Sequence, residues 1–299
     1  FHFNFLDQHY GIYKEAKQYI EQNEVSVIIV TGEPFILFRY GSQLNKKHGT
    51  KWIADYRDGW FLNHVTSISK NPFTKFFRFK EFFSEKVIMQ NVNAITTVDP
   101  ELAKRLQSFL NKKVYVSYNG FWDFHDDINI FKEASDQGCL VLSHTGTLTN
   151  GQRIEILLDC LLELKRKGEI SSKNIRLNLI GLEHYPVQME RIKKYLVQLD
   201  GIVRTTKRIS KADAIIENLK SDYLINFTDS KLSAIYAKTY NYIACKKPIL
   251  VIPGDSGLLE NLVNENNLGS VLNNKHEIEQ FIRKPIIEYK PNQSDLVFF

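Results

Sequence analysis

The chain has 299 residues, of which 43% are apolar and 24% are charged. These proportions exclude a disordered or fibrous chain, and the length fits two domains of common size. The net charge of +5, from 39 basic and 34 acidic residues, is too weak to indicate a nucleic-acid partner. Three scattered cysteines without a CxxC pair indicate a reducing compartment and neither disulfides nor a zinc site.

Strand and helix patterns alternate along the first part of the chain. Short apolar runs predict four strands: Val25–Thr31, Trp52–Tyr56, Ala94–Val98 and Val114–Ser117. Apolar residues at helical spacing predict the intervening helices: Tyr13–Gln22, Phe35–Lys46, Phe73–Met89 and Pro100–Leu110. Strands linked by helices in this way form a parallel, doubly wound sheet, so residues 1–120 are predicted to form a Rossmann-like domain.

The same alternation continues after residue 138. The predicted strands are Cys139–His144, Ile175–Ile180, Ile202–Thr205, Asp222–Phe227, Pro248–Ile252 and a short one ending at Val271. Residues 139–285 therefore form a second Rossmann-like domain, preceded by a polar linker over 121–138 and followed by a tail over 286–299. The predicted fold class is α/β, with two Rossmann-like domains facing a cleft. Ligands of such sheets bind at the carboxyl ends of the strands.

Sequence signatures of several common chemistries are absent. The chain has no GxxxxGK[ST], GxGxxG, GxSxG or HExxH, which disfavours P-loop hydrolysis and hydride transfer. Six other segments follow the predicted strands: VIIVTGEPF (27–35), KWIADYRDGW (51–60), AITTVDPELAKRL (94–106), VSYNGF (116–121), SHTGTL (143–148) and AKTYNYIACKKPILVIPGDSGLLENLV (237–263). In order and spacing they resemble the GT-B-fold glycosyltransferases of group 1, a retaining, family-4-like class.

The resemblance implies a hexosyltransferase that moves a sugar from a nucleotide-sugar donor, with retention, to a glycan or lipid-linked acceptor in cell-surface polysaccharide synthesis. In that family an earlier strand and a Gly-rich loop help to hold donor and acceptor. Nothing here matches them, and the chain lacks an initiator methionine, so we expect an incomplete N-terminal domain. Fixed cations and helix ends would stabilise the leaving diphosphate, and the resemblance implies no metal or other cofactor.

The resemblance places the donor on the C-terminal domain, where a diphosphate needs helix N-terminal N–H groups and a cation. The candidate donor-binding residues are Gly146, Thr147, Arg153, Lys238, Tyr240, Asn241 and Gly254. Asn241 replaces a family Glu that accepts hydrogen bonds from the ribose hydroxyls, and a second family Glu falls at Ser233. These departures leave open a weaker grip on the ribose, another donor or an inactive protein.

Charged residues crowd the predicted acceptor side. Asp55, Arg57 and Asp58 follow one strand, where an Arg between carboxylates can orient one of them as a base for the acceptor hydroxyl. Asp58 and Arg57 are therefore the predicted catalytic residues, the alternative being an Arg–Asp pair that only fixes the loop. The other acceptor-side candidates are Glu33, Glu101 and Asn119. Two residues are expected only as helix N-caps: Asp99 and Ser210.

The predicted helix over 73–89 combines basic and aromatic residues. Its outward side is expected to carry Lys75, Arg78, Phe79, Phe82 and Lys86, a composition typical of a helix at a membrane surface. The opposite side, which includes Phe76, Phe83 and Val87, is expected to face the core. The alternative is that Phe79 and Phe82 pack against a neighbouring loop.

This pattern predicts a cytoplasmic enzyme that associates peripherally with the inner face of a membrane. Two other functions stay open on the sequence alone. One is a nucleotide-sugar epimerase on the same fold, and the other is a non-catalytic binding or scaffold protein. The departures at Asn241 and Ser233 motivate the second of these.

Overall fold

The computed structural model describes residues 7–62, 72–121, 138–229 and 233–285, without the side chains of residues 72–75 and 77. The chain divides into two compact units, Phe1–Tyr118 and Asn119–Phe299. Most of the predicted linker, residues 122–137, and the predicted tail, residues 286–299, lie outside the described residues.

The first unit is built on four parallel strands. Their order in the sheet follows the chain: β1 (Val27–Gly32), β2 (Lys51–Tyr56), β3 (Ala94–Thr97) and β4 (Val114–Val116). The helices are α1 (Tyr10–Gln22), α2 (Ile36–His48), α3 (Pro72–Ile88) and α4 (Pro100–Leu110), with a 3-10 turn at Met89–Asn91. Asp99 caps α4 as predicted, because its carboxylate accepts hydrogen bonds from the N–H groups of Glu101 and Leu102.

Alternation along the strands determines which side chains form the core of this unit. Trp52, Ala54 and Tyr56 on β2 are fully buried and pack with Phe38 of α2. On β1, Ile28 and Val30 pack against the same core, whereas Ile29, which points the other way, is 68% exposed. The helices between the strands therefore cover the face that carries the even-numbered residues of β1 and β2.

The second unit has six parallel strands: β5 (Leu140–Thr145), β6 (Ile175–Ile180), β7 (Val203–Thr205), β8 (Tyr223–Phe227), β9 (Ile249–Ile252) and β10 (Gly269–Val271). Its helices are α5 (Glu155–Arg166), α6 (Pro186–Gln198), α7 (Lys211–Lys220), α8 (Ala237–Ala244), α9 (Leu258–Glu265) and α10 (Lys275–Arg283), with a 3-10 turn at Leu182–His184. Ser210 caps α7 as predicted, with its hydroxyl accepting the Asp213 N–H.

The strand order of this sheet is β7-β6-β5-β8-β9-β10. The chain first builds outward from β5 through β6 to β7 and then returns to build on the other side of β5. Such a reversal opens a crevice at the carboxyl ends of the two strands that meet there, β5 and β8. Every residue of β8 and β9 is buried, as expected for parallel strands covered on both faces. The predicted α/β fold with parallel, Rossmann-like sheets is confirmed.

The orientation of α3 differs from the prediction. Phe76, Phe83 and Val87 were expected in the core, yet they are 61%, 50% and 52% exposed, so that part of the prediction is wrong. The inward positions are instead occupied by Glu85, which is fully buried, and by the partly buried Phe82, whose ring packs against Phe61 and Phe109. Contacts with the loop after β2 therefore decide which side of this helix faces inward.

Candidate functional site

The crevice of the second unit lies where β5 and β8 end. β5 is followed by Gly146, whose φ of 98° lies in the left-handed region that favours glycine. The helix α8 starts after Tyr236, whose own side chain makes no capping hydrogen bond. Among the described residues no acceptor pairs with the N–H groups of Ala237 and Lys238, so these two donors are available to a ligand, and the positive end of the helix dipole favours an anion there.

Lys238, the second residue of α8, reaches back toward the end of β5. Its Nζ donates to the Thr147 carbonyl oxygen at 3.0 Å and lies 3.0 Å from His144 Nε2. A Cβ placed on Gly146 would lie 3.8 Å from this Nζ. The ammonium group, the glycine turn and the uncapped helix start are thus brought together at one point.

The electrostatics of this point favour a bound anion. Burial lowers the pKa of Lys238 to about 7, and burial together with the nearby Lys238 lowers the pKa of His144 to about 3. His144 Nδ1 lies 2.9 Å from the Ile225 carbonyl oxygen, so Nδ1–H donates there and Nε2 accepts from Lys238. Among the residues that the structure describes, no carboxylate pairs with Lys238, and the partly buried cation has no counter-charge there.

The loop that follows β5 is tied to the end of β8. The buried Gln152 accepts the Thr149 N–H at 2.8 Å and donates to the Phe227 carbonyl oxygen at 2.7 Å. The Arg153 N–H donates to the Thr228 carbonyl oxygen at 3.2 Å, while the Arg153 side chain is exposed. The structure therefore brings this loop, with Thr147 and Arg153, to the same edge of the sheet as Lys238.

Some residues of α8 are buried against the sheet, whereas others are accessible to a ligand. The Tyr242 hydroxyl accepts the Thr145 N–H at 2.9 Å, and burial raises its pKa, so the side chain pins the end of β5. Tyr240 is buried as well, whereas Asn241 is partly exposed. The resemblance could not distinguish these two neighbouring candidates, because burial depends on the packing of α8 against the sheet.

The N–H groups of the turn before α9 already donate hydrogen bonds to side chains of the protein. The Asp255 carboxylate accepts from Gly257, Leu259 and Glu260. Ser233 Oγ, at the position of the second family Glu, accepts from Leu258 at 2.8 Å. The Gly254 N–H donates to Asn273 Oδ1 at 3.0 Å. Because these donors are satisfied internally, the start of α8 is the better anion site.

In the first unit the charged residues after β2 occupy different environments. Asp55 accepts hydrogen bonds from Thr31 Oγ1 at 3.2 Å and Thr96 Oγ1 at 2.8 Å, which hold it on the sheet. Arg57 and Asp58 are exposed residues, and desolvation of the Asp58 carboxylate raises its pKa. Within the described part of the chain, no ion pair joins Arg57 to either carboxylate. The alternative predicted from the sequence, an Arg–Asp pair that only fixes the loop, is therefore not formed among these residues.

The other acceptor-side candidates are less constrained. Glu33 directly follows β1 and is exposed. Glu101 is exposed and pairs with Lys104 at 2.7 Å. Asn119 is partly exposed and is the first residue of the second unit. Over the described ranges, no group of three or more His, Cys, Asp or Glu residues could hold a metal ion.

The residues predicted for the membrane face of α3 differ in their exposure and contacts. Phe79 is 63% exposed and lies near Phe83. Arg78 Nη2 instead donates to the Phe61 carbonyl oxygen at 2.8 Å, and the Lys86 ammonium lies over the rings of Phe82 and Phe109. The Lys75 side chain lies outside the described residues. No helix within the described ranges is both long and apolar enough to cross a membrane.

Known proteins match this chain in structure and not in sequence. No protein-family profile matches it, and no curated protein matches it. The Anabaena protein HepE, crystallised with UDP and glucose, superposes with a TM-score of 0.61 at 12% identity, over 96% of this chain and 74% of HepE. A glycosyltransferase from Rickettsia africae gives a TM-score of 0.62 at 14% identity, over 91% and 69% of the two chains.

Sucrose-phosphate synthase from Thermosynechococcus elongatus is similar to the same extent, with a TM-score of 0.61 at 13% identity, over 92% of this chain and 68% of that one. Identities this low show a shared fold and nothing finer. The chain therefore has the fold of the GT-B glycosyltransferases.

Proposed function

We propose that this protein is a glycosyltransferase that binds the diphosphate of a nucleotide-sugar donor in the crevice between β5 and β8. The observation that carries the proposal is Lys238, a desolvated ammonium that has no carboxylate partner among the described residues and lies beside Gly146 and the start of α8. A desolvated charge of this kind is costly unless an opposite charge meets it. A bound diphosphate supplies that charge.

The same groups serve the chemistry of transfer. When the bond between the anomeric carbon and the donor oxygen breaks, its electron pair remains on the leaving diphosphate. Lys238 and the first N–H groups of α8 are placed to stabilise that added negative charge. The exposed Arg153, at the same edge of the sheet, and the partly exposed Asn241 of α8 provide further polar contacts to the donor. Charge stabilisation by these fixed groups needs no metal ion.

Acceptor activation is assigned to Asp58, with Arg57 beside it. Partial burial raises the pKa of Asp58, which makes its carboxylate a stronger base for an acceptor hydroxyl. Retention, a glycan or lipid-linked acceptor and a role in polysaccharide synthesis follow from the family resemblance of the sequence. The exposed Phe79 and Phe83 on α3 support contact with a membrane that carries a lipid-linked acceptor.

The first test is a thermal-shift panel with UDP, GDP, dTDP and CMP. UDP is expected to act because HepE, which shares the fold, was crystallised with UDP and with UDP-glucose. A nucleotide at 100 times its Kd stabilises the folded protein by about 2.7 kcal/mol. Lys238→Met should lose most of the shift, whereas Lys193→Met, which removes an exposed lysine on α6, should keep it. A wild-type protein that responds to no nucleotide would contradict the proposal.

A second function, nucleotide binding without transfer, is favoured by Ser233 and Asn241. Ser233 is engaged in capping α9, and Asn241 carries no charge for the ribose hydroxyls. Transfer or hydrolysis of a nucleotide sugar that is lost in Asp58→Ala would decide for the enzyme. Binding without turnover, unchanged in Asn241→Glu, would decide for a binding protein.

A further inference from the structure

The loop that carries the proposed catalytic residues is residues 57–62, called here the β2 loop. It begins after Tyr56, the last residue of β2, and Arg57 and Asp58 are its first two residues. Both are exposed and have no hydrogen-bond partner among the described residues. Their positions therefore depend on how the rest of the β2 loop is held.

A buried carboxylate connects the two ends of this loop. Glu85 of α3 has no exposed surface. Its Oε1 accepts the Tyr56 hydroxyl at 2.8 Å, and its Oε2 accepts the Phe61 N–H at 2.8 Å. One side chain thus binds the residue before Arg57 and the backbone of a residue near the loop end.

Burial of the Glu85 carboxylate costs free energy, so packing alone does not explain why a glutamate occupies this position. Desolvation raises its pKa to about 7, and the neighbouring Glu81 adds to that increase. A leucine at this position would fill the space without that cost. The carboxylate is needed because both Tyr56 and Phe61 present donors to it, and a buried donor without an acceptor is itself unfavourable.

Other contacts hold the far half of the β2 loop. The Phe61 ring packs against Phe82 and Phe109. Arg78 Nη2 donates a hydrogen bond to the Phe61 carbonyl oxygen. Trp60 stacks on Phe35 with ring centroids 5.4 Å apart. These contacts fix residues 60 and 61. The Phe35 ring also lies 6.4 Å from the Tyr56 ring, measured between centroids, but among the described residues only Glu85 makes hydrogen bonds both to Tyr56 and to the β2 loop.

We propose that Glu85 is a positioning residue that holds the β2 loop so that Asp58 and Arg57 meet the acceptor. The proposal rests on the proposed transfer function and assigns Glu85 no contact with substrate. Loss of the carboxylate would release the Phe61 N–H and the Tyr56 hydroxyl together. The β2 loop would then open, while the crevice of the second unit, where the nucleotide binds, would be unaffected.

The test compares Glu85→Leu and Glu85→Gln with the wild-type chain. Glutamine can accept the Phe61 N–H with its oxygen and donate to the Tyr56 hydroxyl with its nitrogen, whereas leucine can do neither. Glu81→Gln, one turn earlier on α3, is the matched control. The readouts are tryptic cleavage after Arg57, followed by mass spectrometry, UDP affinity by calorimetry, and kcat for donor-sugar transfer.

Glu85→Leu should accelerate cleavage after Arg57 and lower kcat, each by at least about tenfold, because two bonds to a buried carboxylate are lost. Its UDP affinity should stay within about twofold of wild type, which a globally unfolded variant would not show. Glu85→Gln should restore both protection and kcat to within about threefold. Glu81→Gln should match the wild type in all three readouts.

A Glu85→Leu protein with wild-type cleavage and kcat would overturn the positioning role. Loss of UDP affinity in that variant would show global unfolding, and the decision would then pass to Tyr56→Phe, which removes one of the two bonds. Faster cleavage after Arg57 in Tyr56→Phe would support the proposal, and wild-type cleavage would overturn it. A wild-type chain that binds no nucleotide would refute the proposed function, while the protease result would still show whether Glu85 holds the loop.

Discussion

The pH dependence of nucleotide binding tests the role of Lys238 directly. Its pKa lies at about 7 because burial disfavours the charged form. A diphosphate favours that charged form, so binding raises this pKa and takes up a proton above pH 7. If only the protonated lysine binds, the apparent Kd equals the intrinsic Kd divided by the protonated fraction.

The expected magnitude follows from that fraction. With a pKa of about 7, the protonated share falls from about one half at pH 7 to about one hundredth at pH 9, so that UDP affinity falls roughly 50-fold, or about 2 kcal/mol. The phosphate itself contributes little over this range, because its own second pKa is about 6. An exposed lysine, titrating near pH 10, would produce almost no change between pH 7 and 9.

Calorimetric titration with UDP from pH 7 to 9, at constant ionic strength, measures both the affinity and the proton uptake. Lys238→Met should bind more weakly at pH 7 and show no such pH dependence, whereas Lys193→Met should follow the wild type. A wild-type affinity that is constant over this range would refute the reasoning. An equal slope in Lys238→Met would refute it as well, because another group would then be titrating.

Three further outcomes are expected. Glu85 has a higher pKa in the folded than in the unfolded chain, so its contribution to stability is full below pH 4.5 and is lost as the pH rises through about 7. Glu85→Gln should therefore gain about 2 to 3 kcal/mol in stability relative to wild type between pH 5 and 8, measured by urea unfolding, and a difference that stays constant over this range would contradict this. Gly146→Ala should cost roughly 1 kcal/mol or more at φ 98° and weaken UDP binding, while Gly168→Ala, at φ 73° in open space, should cost stability alone; equal UDP affinities in the two variants would count against the site. Finally, Phe79→Ser/Phe83→Ser should float less with anionic liposomes than wild type, because both rings are exposed, and equal flotation would exclude this membrane face.

Local sequence signals predicted the elements well where each signal has one structural meaning. Asp99 before Pro100 gives a capped helix start, because a short carboxylate can accept the next N–H groups whatever the rest of the chain does. The short, apolar strands of the second unit indicate burial on both faces and hence a parallel sheet. Glycine at position 146 indicated a turn at the end of β5, and the structure shows why a side chain is disfavoured there.

The sequence determined much less about α3. Phenylalanine occurs on all sides of this helix, so the hydrophobic period does not define one inward face. A glutamate is ordinarily assigned to solvent, and only the tertiary contacts show that Glu85 is buried against Tyr56 and Phe61. The prediction therefore placed Phe76 and Phe83 in the core by choosing the wrong rotation of the helix.

The sequence by itself determined the alternation of strands and helices, their approximate bounds and the candidate residues at the strand ends. Only the tertiary structure decided that β8 pairs with β5, about 80 residues earlier in the chain, and so placed Lys238 beside Gly146 and His144. Hydrophobic periodicity acts between residues a few positions apart, whereas strand order and the desolvation of a lysine depend on which distant segments pack together.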